Sequence, residues 1–176
     1  MNPGTGAMRA FDEARPDHIE LFAAFGFASR CAQEFEAIVF VNLHYSLALA
    51  GNFASLDEVD RAAEKQGSIP LGQVFSELTK YLNDDKFKAS IEQAISTRNS
   101  LVHDFFRKRT AGIAMTKAET ADATAWCEAA SEEFVSVSRK LHARWEDQHA
   151  MVQSDPDAVA PGMRARIEAI ERGEWP

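Results

Sequence analysis

The stretch TRNSLVHDFF, residues 97–106, holds the side chains best placed for chemistry: Arg98, Asn99 and His103, set in what otherwise reads as the apolar stripe of a helix. At about 100° per residue, with Ile91 as origin, Phe87, Ala94, Ile95, Leu101, Val102, Phe105 and Phe106 fall within an arc of roughly 140°. Arg98 projects from the middle of that arc. Asn99 and His103 share its border, one turn apart, where two side chains can sit side by side. A guanidinium cannot shed its proton, and an unpaired one in an apolar core is strongly destabilising. An anion must therefore meet Arg98. It is either a carboxylate on a neighbouring helix, with Glu34, Glu36, Glu77 and Asp104 as candidates, or a phosphate in a cleft bordered by the stripe.

The flanking charge fits both readings. Arg107, Lys108 and Arg109 follow the motif directly, and Lys86 and Lys88 stand at the other end of the same segment, so a local path for RNA phosphates is available. Cations in the last turn of a helix also simply favour its dipole.

Helices are the elements that must position these residues. Pro16-Asp17 opens a long helix whose apolar pattern runs from Ile19 to Leu47 and stops at Gly51-Asn52, with Gly26 as a place to bend. Ser55 and Glu58 form a capping box that starts a short charged helix to about Gln66. Pro70 begins another, with Leu71, Val74, Phe75, Leu78 and Leu82 on one face. The segment from about Asp85 to Arg109, capped by the Asp84-Asp85 pair, carries the motif. Thr116 and Glu119 make a second capping box, followed by the regular stripe Trp126, Ala130, Phe134, Val137, Leu141 and Trp145. No segment alternates with a period of two, and no Gly-rich loop resembles a phosphate cradle. The expected fold is all-α, an up-and-down bundle of four to five helices over residues 16–152. Residues 1–15 read as a flexible leader, and 153–176 as a linker with a short helix from Met163 to Arg172.

Bulk properties limit the function classes. With 176 residues the chain fills one core, and 45% hydrophobic residues place it among ordered globular proteins. A net charge of -8 argues against binding nucleic acid or anionic membrane over the whole surface, so any RNA contact must be local. The most apolar stretch, Glu36 to Ala50, is broken by Asn42 and His44 and is too short to span a bilayer. Cys31 and Cys127 lie far apart, without a CxxC pair, and read as reduced core thiols of a cytoplasmic protein.

The run ISTRNSLVHDFFRK, with Arg98-Asn99, three residues and then His103, resembles the Arg-polar-x-x-x-His motif of the HEPN superfamily, the higher eukaryotes and prokaryotes nucleotide-binding domains. IPLGQVFSELTKYL, residues 69–82, is similar to the Leu-Gly-containing helix of several bacterial members. The resemblance covers roughly residues 17–150, and its specific part is six residues. It implies a metal-independent endoribonuclease without cofactor, acting on RNA as a homodimer whose two motifs meet in a cleft, as a toxin or antiviral effector. Its alternative is a catalytically silent helical module that binds a nucleotide or a protein partner. In the nuclease, His103 is the general acid or base, Arg98 holds the scissile phosphate, Asn99 orients His103 or the phosphate, and Arg107, Lys108 and Arg109 guide substrate. An antitoxin is the partner such a toxin implies. Toxins silenced by attachment of AMP resemble one another in a tyrosine two residues after the histidine; this chain has Phe105 there, which has no hydroxyl to modify.

The remaining candidates read as structural. His44 is expected to be a hydrogen-bonded core residue, and His142 and His149, seven apart, to be surface residues too distant to share one ion well. Asp104 points to another face of the helix than His103.

Overall fold

A computed structural model describes residues 16–51, 58, 61, 69–108, 115–154, 168 and 172. The leader, the Ser55 cap and its short helix, Arg109 and the C-terminal segment lie outside the described residues, apart from those isolated positions. Among the described residues there is no strand, and the architecture is an all-α bundle.

Two long helices form its frame. Helix α1, Pro16–Leu49, runs unbroken through Gly26. It ends where Gly51 takes a positive φ of 74° and its N–H donates to the Ala48 carbonyl, a conformation that favours glycine. The opposite long helix, here α5, spans Lys117–Ser154. Its start is the expected capping box: the Glu119 N–H donates to Thr116 Oγ1 at 3.3 Å, and the Thr116 N–H donates to Glu119 Oε2 at 2.7 Å. That bond to the Thr116 backbone, with a second from its hydroxyl, holds the Glu119 carboxyl below the usual glutamate range.

Between them the chain builds shorter helices against one side of the frame. Helix α2, Leu71–Leu78, begins after Pro70, whose carbonyl accepts from Gln73 N–H, and tightens into a 3-10 turn at Thr79–Tyr81. Helix α3, Asp85–Asn99, is capped by Asp84 alone, which accepts from the N–H groups of Lys86 and Phe87. It continues into a wide π-type turn, Ser100–Asp104, and one α-helical turn, α4, Phe105–Lys108. The core runs along the frame, with Phe35 stacked on Phe134 at 5.8 Å and Val39, Leu43, Ile91, Leu101 and Leu141 fully enclosed.

The apolar stripe of α3 is not straight. The buried residues are Ile91, Ala94, Ile95, Thr97, Leu101 and Phe105, so after Ile95 the line drifts toward the Thr97 side. Val102 and Phe106, expected in the core, therefore stand 53% and 48% exposed. In a turn bonded i to i+5 each residue rotates the helix less, which lines up Leu101 with Phe105 and leaves their neighbours outside.

Candidate functional site

Consecutive residues of α3 dock on different helices. Thr97 Oγ1 donates to Glu133 Oε2 of α5 at 2.7 Å, and Arg98 Nε donates to Glu36 Oε1 of α1. Arg98 is thus at the edge of the stripe rather than in its middle, its side chain 23% exposed against 26% for Glu36. Among the four carboxylates open from the sequence, Glu34 pairs with Arg30, Glu77 with Lys80, and Asp104 with Arg107 and Lys108. Glu36 is the one that meets Arg98.

The guanidinium is not fully spent. Nη1 donates to Asn99 Oδ1 at 3.2 Å, which orients the amide, and part of the five-donor fork stays open at the partly exposed edge. From there Asn99, Val102, His103, Phe106 and Arg107 form one exposed stripe at helical spacing. His103 sits in the wide turn, exposed, without a hydrogen bond to any described residue. It is within about 8 Å of helical rise of Arg98. π-type turns occur often where a helix serves a function, because they re-aim side chains without ending the helix.

Asp104 belongs to the cations that follow, and this is where the basic patch differs from expectation. Both its oxygens accept, from Arg107 Nη2 and Lys108 Nζ, and those bonds, that of Lys108 first, hold its carboxyl below the usual range. The charge offered to a phosphate by this turn is correspondingly reduced, while both cations remain largely exposed. Lys88 pairs with Asp85, and Arg109 lies outside the described residues. Phe105 is buried, its ring 4.9 Å from Phe25 and 5.7 Å from Trp126, so the position that carries tyrosine in the AMP-accepting toxins is core here.

Two features were not foreseen from the sequence. Arg144 of α5 is half-buried and reaches neutral oxygens: Nη2 donates to the Tyr81 carbonyl at 2.8 Å and to Ser46 Oγ at 3.2 Å. Burial lowers its pKa from the ordinary arginine value. His149 is half-buried rather than on the surface, hydrogen-bonded with Tyr45 Oη at 3.2 Å and stacked on Trp145 at 5.4 Å. The signal for Arg144 was its place three residues after Leu141 on the inward side of the α5 stripe. His44 is bonded to the Phe40 carbonyl through Nδ1, and Cys31 and Cys127 are buried free thiols. Burial, and then Glu34, push the Cys31 thiol up.

Among the described residues no group of three His, Cys, Asp or Glu side chains could hold a metal ion, and no helix is long and apolar enough to cross a membrane. No protein-family model, no curated protein and no solved structure matched the chain.

Proposed function

We propose that the chain is a HEPN-like, metal-independent endoribonuclease of the cytoplasm, a toxin or antiviral effector, with Arg98, Asn99 and His103 at a site completed by a second protomer. The observation that carries this reading is His103: an exposed imidazole with no hydrogen bond to any described residue, raised on a wide turn beside an amide that the Arg98 guanidinium holds. Its chemistry follows from those groups. His103 takes the proton of a ribose 2′-hydroxyl, whose oxygen attacks the adjacent phosphorus. The bond to the 5′-oxygen breaks, and the second copy's imidazole returns a proton to it, leaving a 2′,3′-cyclic phosphate and a 5′-hydroxyl. The open part of the Arg98 fork binds the phosphate as its charge grows. Arg107 and Lys108, released from Asp104, lie along the path of the strand. Silencing by AMP on the residue two after the histidine does not apply, because Phe105 is buried and lacks a hydroxyl. An antitoxin would act by binding.

The ion pair between Arg98 and Glu36 favours a second reading, a catalytically silent helical module in which the arginine joins α3 to α1. Glu36→Gln separates the two. The nuclease keeps cutting RNA in EDTA within several-fold of wild type, since the freed fork still reaches phosphate; the silent module cuts nothing and only loses thermal stability.

A further inference from the structure

The side of the α1/α5 frame away from α3 is a groove. A cavity of about 730 Å³, lined by Ala24, Phe27, Glu128, Glu132, Val135 and Arg139 among others, adjoins a second of about 410 Å³ that shares Val135 and Arg139. Phe27 stands 58% exposed in its wall. On α1 the lining residues Phe27, Glu34 and Ile38 fall within about 40° of one another, whereas Glu36 and Phe22 lie more than about 120° away, toward α3 and α4.

Charge on the α5 wall is arranged in two unpaired halves. Glu128 and Glu132 are like charges one turn apart, an arrangement that destabilises a helix on its own. Arg139 and Lys140 are like charges side by side. None of the four has an ion-pair partner among the described residues. Glu132 and Arg139 are placed symmetrically about Val135 and Ser136, whose modest side chains let another helix approach closely.

We infer that this groove is the contact face for a second copy of the chain, with the two α5 helices packed antiparallel about a two-fold axis between Val135 and Ser136. Such a face must be self-complementary, and this one is. In that register Glu132 of each copy lies opposite Arg139 of the other, and Glu128 lies opposite Ala143. Glu146 falls opposite Ala125, three residues from Glu128, so the central Glu132–Arg139 pair carries the complementarity. Phe27 of each copy gains cover from the other. The inference does not rest on the nuclease reading. It leaves both His103 stripes facing outward, so pairing of the motifs would use a separate face; alone the groove contact builds a dimer.

The test is the mass of the full chain in solution by sedimentation equilibrium, at concentrations of ~10–100 μM, with circular dichroism to follow the fold. Wild type is expected as a dimer, or as a larger assembly where the motifs also pair. Glu132→Arg alone and Arg139→Glu alone each place like charges against themselves and should halve that mass, with at least a tenfold weaker association. Mixing the two single variants pairs opposite charges at both contacts and should restore the mass, as should the double variant. A monomeric wild type overturns the inference. So do single variants that keep the wild-type mass, or folded single variants whose mixture stays dissociated. Cleavage of RNA is read separately, so failure here is distinct from failure of the nuclease reading.

Discussion

Arg98 and Arg144 are both partly buried arginines that tie helices together, yet their surroundings differ in kind. Arg98 meets a carboxylate, holds a neighbouring amide and borders an exposed stripe with a solvent-facing imidazole. Arg144 meets a backbone carbonyl at the end of the 3-10 turn and a serine hydroxyl, all within the bundle. The carbonyl lies at the negative end of that short helix, which favours a cation there. The comparison teaches that a cation among apolar residues does not by itself mark a site. An unsatisfied reactive group on the face it borders would do so, and of the two only Arg98 borders such a group, His103.

Substitutions can break this contrast. Arg98→Ala should lower the rate of metal-free RNA cleavage by about 10²–10³-fold, the usual loss when one donor to a growing phosphate charge is removed, while thermal unfolding shifts by only about 1 kcal/mol because the ion pair is partly solvated. Arg144→Met should do the reverse. It keeps the apolar stem but leaves the Tyr81 carbonyl without its donor, so denaturant unfolding should show a loss of about 1–3 kcal/mol with cleavage unchanged. Equal effects of the two variants on cleavage would remove the distinction.

Smaller changes sharpen it. Thr97→Val removes the bond to Glu133 one residue before Arg98, and should cost about 1 kcal/mol in stability and leave cleavage within a few-fold, since it anchors α3 without touching substrate. The smallest effect is expected at the Thr116–Glu119 cap. The Glu119 carboxyl titrates lower in the folded than in the unfolded chain, so its contribution is present at neutral pH and is lost as pH falls through its folded pKa. Glu119→Gln should accordingly flatten the acid side of the stability profile, measured by thermal melts across the carboxylate range, and lower the neutral plateau slightly.

Much of the frame is legible in the sequence. The Thr116–Glu119 cap, the start after Pro70, the Asp84 cap and the end of α1 at Gly51 are local features, set by residues within one or two turns of each other. The all-α class followed from periodicity. What escaped depends on contacts distant in sequence. Glu36 is 62 residues from Arg98, and the only local hint was that Arg30, four residues before Glu34, takes that carboxylate instead. The exposure of Val102 and Phe106 required the stripe to drift and the helix to widen at Ser100–Asp104, which a straight wheel does not represent. Arg144 was hidden because its partners are neutral oxygens on α1 and the 3-10 turn, and those carry no charge signal. Of the motif residues, the structure keeps Asn99 and His103 on one exposed face with Arg98 at its edge.

The central claim is that His103 is an acid–base group in RNA cleavage. Incubation of single-stranded RNA in EDTA with wild type and with His103→Ala, side by side, tests it most directly. The account predicts 2′,3′-cyclic phosphate products from the wild type and a loss of about 10²–10⁴-fold in the variant, with the helical signal and melting temperature unchanged. Equal cleavage by both proteins, or none by the folded wild type, would contradict it.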